Sequence, residues 1–155
     1  MAMAKVRRKP GEDAAARAAA YVLEEQVGFL LRCAHQRATE DFNAVMGRFD
    51  VTPTQFAALA KLHDAGPLPQ AQLGRLTAMD PATIFGVVKR LARRGYVRQS
   101  LDRADARLVI VGLTPEGRAA AARMTAVAAE VSVRTLAPLA RKEAAALLRL
   151  LGKLE

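Results

Sequence analysis

Small side chains and cations share one face of the helix predicted between Asp80 and Gly95. Asp80 is a good N-cap, because its carboxylate can accept hydrogen bonds from the free amides of the first turn. Residues at the spacing of a buried helix face are apolar: Ile84, Val87, Val88 and Leu91. The rest of the helix could press into a DNA groove, where small residues allow close approach and cations reach phosphates. These candidate contacts are Ala82, Thr83, Phe85, Gly86, Lys89, Arg90 and, in the last turn, Arg94.

A hairpin with a basic tip is predicted directly after this helix. Segments 96–101 and 108–111, which contain the apolar residues of two strands, flank the polar segment 102–107. From Lys89 to Arg107 there are seven basic and two acidic residues. A helix followed at once by a basic-tipped hairpin is the layout of a winged helix-turn-helix. The same stretch alone would also suit a solvated charged helix beside a surface hairpin.

Two shorter helices are predicted ahead of the basic helix. One begins at the N-cap Thr52 and ends near Gly66. The other covers 70–77, and we expect Leu73 and Leu76 to face inward. Together with the basic helix, this second one forms a helix-turn-helix, in which two short helices are joined by a tight turn.

Composition narrows the class of function. The chain has 155 residues and a formal net charge of +9, which suits one domain with a polyanionic partner. No apolar run approaches the ~20 residues of a membrane span, no signal peptide is visible, and one cysteine forms no internal disulfide, so we expect a cytoplasmic protein. G-x-S-x-G, H-E-x-x-H and phosphate-binding glycine loops are absent, so we expect neither catalysis nor a cofactor.

Helical segments outside the winged helix-turn-helix carry more apolar residues than its core needs. One covers 13–48, with a break near Tyr21 as the alternative, a second begins at Thr114 and breaks at Pro138, and a last amphipathic helix follows. We expect them to join a homodimer, because a two-fold protein suits a palindromic operator. The expected fold is mainly α with a small β-wing. It is one domain over 1–155, with a disordered basic tail at 1–12, dimerisation helices at 13–50 and 115–155, and a winged helix-turn-helix at 51–114.

Six motifs follow one another along the chain: T-P-T-Q-F at 52–56, Q-L-G-R-L-T at 72–77, D-P-A-T-I at 80–84, R-L-A-R-R-G-Y-V at 90–97, D-x-x-D-x-R at 102–107 and L-T-P-E-G-R at 113–118. In their order and spacing, these motifs resemble the MarR family of bacterial transcription regulators over about Glu24 to Leu154. The resemblance implies a homodimeric winged-helix repressor, associated with the nucleoid when bound, whose DNA affinity is changed by a small ligand or an oxidant.

The resemblance also implies roles within the wing and the recognition helix. Asp105 would orient Arg107, whose guanidinium would enter a minor groove narrowed by A·T sequence. Ala106 stands where the family often has a basic residue, and Arg103 could compensate for it. The pair Phe85-Gly86 departs from the polar pair expected on the recognition helix. The phenyl ring either meets a thymine methyl group or is partly buried.

Within the family, A-H-Q-R-A-T at 34–39 and L-T-A-M-D-P-A-T-I at 76–84 resemble the regulators of nicotinate breakdown. Those regulators respond to a hydroxylated pyridine carboxylate. Such an effector needs a cation for its carboxylate and apolar walls for its ring. The resemblance implies that aromatic acids bind where the first, second and fifth helices meet. A surface or structural role is the alternative for each candidate ligand in this chain. The candidates are Arg32, His35, Thr39 and His63.

Two further readings stay open. Cys33 has cationic neighbours in Arg32 and His35, which could favour a redox-sensing thiolate, although the family's peroxide-sensing cysteine would fall at Gly28. The two histidines lack carboxylate or thiolate partners at suitable spacing, so no metal site is expected.

The chain could also be a basic scaffold that uses a winged helix for protein or membrane contacts. A scaffold would not need a recognition face of small residues with cations behind them.

Overall fold

The computed structural model describes residues 21–154, which contain six α-helices and a three-stranded antiparallel sheet. The predicted tail at 1–12, and the start of the helix predicted from residue 13, lie outside these residues. The helices are α1 (Val27–Met46), α2 (Pro53–Ala65), α3 (Gln70–Leu76), α4 (Pro81–Arg93), α5 (Pro115–Leu136) and α6 (Arg141–Leu151). The strands are β1 (Leu68–Pro69), β2 (Val97–Leu101) and β3 (Val109–Leu113), and short 3-10 turns cover Leu23–Glu25 and Gly47–Phe49.

The chain divides into two compact units after Gln36, within α1. In the described part of the first unit, the 3-10 turn Leu23–Glu25 lies between Val22 and Gln26, both of which have extended backbones. The regular helix therefore begins at Val27, and these residues agree with the alternative of a break near Tyr21. The apolar side chains in residues 21–36 are largely exposed, including Val27 at 68%.

The core of the second unit holds α4 by its apolar face. Each residue of the predicted stripe is at most 2% exposed: Ile84, Val87, Val88 and Leu91. The same core contains side chains of α2, α3, α5 and the end of α1, among them Leu59, Leu62, Leu73, Met124 and Met46. The four apolar positions therefore fix which face of α4 is left outside.

The hairpin predicted after α4 is extended by a third strand. The order in the sheet is β1-β3-β2, with Val97 of β2 opposite Leu113 and Leu68 of β1 opposite Val111. The sequence does not predict β1, because two residues ending in a proline show no alternating pattern. A proline is tolerated at this place because β1 is an edge strand.

Leu76 does not face inward, which corrects the prediction for α3. Its side chain is 49% exposed, whereas Leu73 is fully buried. The reason is the close approach of α3 to α4 at Gly74. A Cβ atom built on Gly74 would lie 3.1 Å from Ile84 Cγ2 and 3.1 Å from the carbonyl oxygen of Met79. Gly74, rather than Leu76, therefore lies on the packed side of α3.

Three helices begin at the N-caps that the sequence predicts. Thr52 Oγ1 accepts from the Gln55 amide at 3.2 Å, and the Gln55 side chain accepts from the Thr52 amide at 3.1 Å, which completes a capping box at α2. Asp80 caps α4 by accepting from the Thr83 amide at 2.9 Å. Thr114 caps α5 by accepting from the amide of Gly117 at 3.0 Å.

The first turn of α5 lies against the chain that leaves α4. Gly95 has φ 72°, a left-handed conformation that favours glycine. Thr114 donates its amide to the Tyr96 carbonyl at 3.0 Å and its hydroxyl to the Gly95 carbonyl at 2.6 Å. A Cβ atom built on Gly117 would lie 1.8 Å from the Tyr96 carbonyl oxygen, so a side chain at this position needs a backbone shift.

We therefore expect Gly117→Ala to lower the free energy of unfolding by about 3 kcal/mol or more, because the contact is with backbone and cannot relax by rotation of a side chain. Gly47→Ala is the matched control, because a Cβ atom there meets nothing within 4 Å. The control should change the free energy of unfolding by no more than about 0.5 kcal/mol. Urea unfolding of both variants measures this, and equal stability of the two would contradict the close approach.

Candidate nucleic-acid interface

Four residues form a stripe on α4 opposite its buried face. They lie at i, i+4, i+7 and i+11, the spacing of one helix face: Ala82, Gly86, Lys89 and Arg93. Ala82, Lys89 and Arg93 are exposed, and Gly86 is half-buried. Arg93 is not among the predicted contacts. The signal that could have identified it is its position four residues after Lys89, on the side opposite Val88 and Leu91.

The other predicted contacts flank this stripe. Phe85 is 56% exposed, so the alternative of a partly buried ring gives way to an exposed apolar side chain beside the cations. The guanidinium of Arg90 lies across Gly86, since a Cβ atom built on that glycine would be 3.3 Å from Arg90 Nη1. Thr83 is bound to the helix cap, because its hydroxyl donates to Asp80 Oδ2 at 2.6 Å. This hydrogen bond is the main cause of the lowered pKa of the Asp80 carboxyl.

The cations of this face are not neutralised by acidic neighbours. Within residues 21–154, no ion pair involves Lys89, Arg90 or Arg93. Unpaired, exposed cations around small side chains suit the electrostatic attraction and close approach that a nucleic-acid backbone requires.

The structure does not bring Arg94 to this face. Its Nη2 donates to the Phe49 carbonyl at 3.1 Å, its Nη1 donates to the Asp50 carbonyl, and its guanidinium lies 5.0 Å from the centroid of the Tyr96 ring. The side chain is only 29% exposed. Arg94 follows Leu91 by three residues, which explains why it lies on the buried side of the helix.

The wing has a short loop organised by two carboxylates. Asp102 Oδ1 accepts from the amides of Ala104 and Asp105 at 2.8 and 3.0 Å, which closes the turn. Asp105 then holds Arg107 in a two-point ion pair, with Nε 3.0 Å from Oδ1 and Nη2 3.1 Å from Oδ2. Arg107 remains 90% exposed, so the pair presents an oriented guanidinium at the tip. Arg103 is also exposed at this tip.

The ion pair shifts both ionisation equilibria. Hydrogen bonds from Arg107 lower the pKa of the Asp105 carboxyl, and Asp105 raises the pKa of the Arg107 guanidinium. A carboxyl with a lowered folded-state pKa stabilises the fold above its unfolded-state pKa. That contribution is lost as pH falls through the folded value. The Asp105 carboxyl of the wing pair is therefore ionised at neutral pH and becomes protonated only in acid.

We expect the Asp105 carboxyl to titrate below its ordinary value of 3.8 and to return towards it in Arg107→Ala, because the main cause of the shift is then removed. Carbon-detected NMR of the aspartate side chains measures this midpoint. Arg103→Ala is the control, since it removes a neighbouring cation that forms no hydrogen bond with Asp105. An Asp105 midpoint that does not move in Arg107→Ala would exclude the pair in solution.

His63 lies in an open groove between α2, the start of α5 and the base of the wing. The groove has a volume of about 660 Å³. His63 Nδ1 is buried and has no hydrogen-bond partner among the described residues. Two arginines in the lining, Arg98 and Arg118, are not among the predicted ligands; the spacing of charge along the chain gave no signal for them. The rest of the lining is Leu113, Pro115, Ala119 and Ala122.

The other predicted effector ligands lie elsewhere on α1. Arg32 and His35 belong to the first unit, where both are exposed, and the Arg32 guanidinium lies 5.6 Å from the centroid of the Phe29 ring. Thr39 belongs to the second unit, is half-buried, and is not part of the groove lining. The structure therefore brings only His63 of the predicted set into this groove.

Three further properties concern residues 21–154. No three His, Cys, Asp or Glu side chains come together there in a way that could hold a metal ion. None of the helices in this range is both long and apolar enough to cross a bilayer. Cys33 is exposed on α1.

Comparison with known proteins finds similarity to transcriptional regulators over most of the chain. The MarR family profile matches residues 51–109. The transcriptional repressor NicR of Pseudomonas putida is 42% identical over 134 residues, which are 86% of this chain and 85% of NicR.

Two solved structures have the same fold at high sequence identity. A probable transcriptional regulator from Pseudomonas aeruginosa is 48% identical, with a TM-score of 0.80, over 86% of this chain and all of that one. BpsR of Bordetella bronchiseptica, whose DNA binding is regulated by 6-hydroxynicotinic acid, is 38% identical. Its TM-score is 0.81 over 86% of this chain and 96% of BpsR.

Proposed function

Because this chain belongs to the MarR family of transcriptional regulators, not to an enzyme family, we propose that it is a homodimeric repressor that a small aromatic carboxylate releases from a palindromic operator. The observation that carries the proposal is the seating of α4, which buries four apolar residues and leaves a stripe of small and basic ones outside. Such a repressor binds its operator DNA in the bacterial cytoplasm.

In this proposal, α4 enters the major groove and the wing enters the minor groove beside it. Ala82 and Gly86 let the helix approach base edges, and Phe85 is available for a thymine methyl group. The cations at Lys89, Arg90 and Arg93 reach phosphates. Arg107 reads a minor groove narrowed by A·T sequence, since its guanidinium is already oriented by Asp105.

The proposed dimer rests on apolar side chains that a single chain leaves in water. On and after α6, five leucines are at least 37% exposed: Leu147, Leu148, Leu150, Leu151 and Leu154. On α1, Leu30 and Leu31 are 53% and 43% exposed. Exposed apolar groups of this extent favour association with a second subunit. Two copies of α4 would then meet successive major grooves of a palindromic site.

The proposed effector site is the groove at His63. Its volume of about 660 Å³ is in the range of small-molecule sites. Arg98 and Arg118 can each give a carboxylate a charge-assisted hydrogen bond, and the unpartnered Nδ1 of His63 can bond a ring substituent. BpsR, whose regulator is 6-hydroxynicotinic acid, supports an effector of this chemistry here. Arg32, His35 and Thr39 remain candidates for the same effector.

The effector releases DNA if its binding in the groove changes the position of the DNA-binding elements. Arg98 and Leu113 belong to the wing strands, and Arg118 belongs to the first turns of α5. An effector bound among them touches the elements that join α4 to the wing and to α5. It lowers DNA affinity only if it binds the DNA-incompetent state more tightly, and a tenfold loss needs about 1.4 kcal/mol of coupling.

For DNA binding, we expect Lys89→Ala and Arg93→Ala each to weaken binding and to reduce the slope of log K against log salt by about one unit, since each variant loses one phosphate contact. Arg107→Ala should weaken binding more at A·T-flanked than at G·C-flanked sites. Fluorescence anisotropy across a salt series, on a duplex that the chain selects from a random pool, measures these effects.

The control for these variants is Lys61→Ala, because Lys61 is paired with Asp64 on α2 and is outside the proposed interface. It should bind DNA as the wild type does. Light scattering of the complex should find two chains for each palindromic duplex. Wild-type affinity and salt slope in all three interface variants would refute the DNA-binding proposal.

For the effector, we expect 6-hydroxynicotinate to bind and to release the selected duplex. Calorimetry should find binding weakened about tenfold or more in Arg118→Ala, since a charge-assisted hydrogen bond is lost. Arg32→Ala with His35→Ala is the comparison that separates the two sets of candidate ligands. Nicotinate and salicylate test the need for the ring hydroxyl and nitrogen. Full binding by Arg118→Ala and His63→Ala would exclude the groove as the effector site.

A further inference from the structure

Arg94 clamps the end of α4 to the corner between α1 and α2. Its guanidinium donates to two successive carbonyl groups, those of Phe49 and Asp50. Its Nη1 also lies 3.6 Å from the Asp50 carboxylate. The ring of Tyr96 lies beneath the guanidinium, 5.0 Å from it. Four interactions therefore converge on a side chain that is mostly covered.

The corner offers carbonyl groups to which such a side chain can donate. The 3-10 turn Gly47–Phe49 ends at Asp50, whose φ of 51° is left-handed, and Val51 is buried immediately after it. Carbonyl groups at the end of a helical segment have no partner within the helix. A planar guanidinium can satisfy two of them at once, whereas a lysine ammonium has no such fork. The two carbonyl groups of the corner thus favour arginine over lysine at this position.

We propose that Arg94 is a positioning residue for DNA recognition, which acts by holding the last turn of α4 rather than by touching phosphate. The inference rests on the proposed function and deepens it. The apolar stripe holds the middle of α4, and Arg94 holds its last turn. The contact stripe from Ala82 to Arg93 spans about 16 Å. A small rotation of the helix would therefore move one end away from its base edges or phosphates.

Specific and non-specific DNA binding depend differently on the orientation of α4. Base contacts need all side chains of the stripe in register at once. Attraction to phosphates needs only the number of cations near the backbone. Loss of the clamp therefore lowers affinity for the selected duplex and leaves affinity for unrelated DNA nearly unchanged.

Arg93 and Arg94 are adjacent residues of the same type, and they should give opposite signatures. The full-length chain is titrated with the selected duplex and with a scrambled duplex of the same length and composition, over a salt series. Arg93→Met should weaken both duplexes alike and lower the salt slope by about one unit. Arg94→Met should weaken the selected duplex by about tenfold or more, leave the scrambled duplex within about twofold, and keep the salt slope.

Three further variants separate positioning from loss of stability. Met124→Ala removes a fully buried side chain of α5, so it lowers stability but should keep the ratio of selected to scrambled affinity. Arg94→Lys should recover only part of the ratio, because it cannot bond both carbonyls. Asp50→Asn should lower the ratio less than Arg94→Met, since the backbone carbonyls remain.

The outcomes separate the inference from the proposed function. If Arg94→Met lowers the salt slope and weakens both duplexes as Arg93→Met does, Arg94 contacts phosphate and the inference is overturned. If Arg94→Met keeps the wild-type ratio, or if Met124→Ala loses it equally, the clamp has no specific role. If the wild-type chain selects no duplex, the proposed function fails first.

Discussion

The burial of one face of α4 is the constraint on which the rest of the molecule depends. A helix repeats every 3.6 residues, so four buried positions determine what the opposite side presents. Ile84, Val87, Val88 and Leu91 are at most 2% exposed. The side that remains outside carries small residues in the first turns and unpaired cations in the last ones. Packing of apolar side chains thus determines which side of α4 forms the surface proposed for DNA recognition.

Both ends of α4 are then fixed by polar interactions. The Asp80 carboxylate caps the start through the amide and hydroxyl of Thr83. At the other end, Gly95 turns the chain and Arg94 bonds the corner after α1. Beyond Gly95, the first turn of α5 packs on the Tyr96 carbonyl so closely that position 117 has no room for a side chain. The proposed effector groove uses the strands and the helix that meet at this junction.

The sequence predicted the elements that have strong local signals. The structure confirms three local signals, each determined by a few neighbouring residues: the N-caps Thr52, Asp80 and Thr114, the end of α4 before Gly95, and the apolar stripe of α4. The strand β1 was not predicted, because its pairing with β3 depends on residues about 40 positions away. Leu76 was assigned to the core from periodicity, but the contact of Gly74 with α4 decides the rotation of α3.

In the candidate site, too, the sequence predicts only those residues whose signal is local. Lys89, Arg90 and the wing pair follow from spacing and from the family motif. The structure leaves Lys89, Arg90 and Arg107 exposed and Asp105 half-buried. The sequence places Arg94 with them, because the residues next to a cation in the last turn of a helix do not indicate which groups it will bond. Those partners, Phe49 and Asp50, are more than 40 residues earlier in the chain. The arginines of the His63 groove were missed for the same reason, since the groove joins three separate segments.

The central claim is that the stripe on α4 faces DNA, and protection of single cysteines tests it most directly. The chain has one natural cysteine, so Cys33→Ser provides a clean background. Ala82→Cys and Phe85→Cys each place a thiol on the proposed face without removing a cation, and Asp64→Cys places one on α2 away from it. We expect the selected duplex to slow maleimide labelling at positions 82 and 85 and to leave position 64 unchanged. Equal labelling rates with and without DNA at 82 and 85, in a chain that binds the duplex, would contradict this claim.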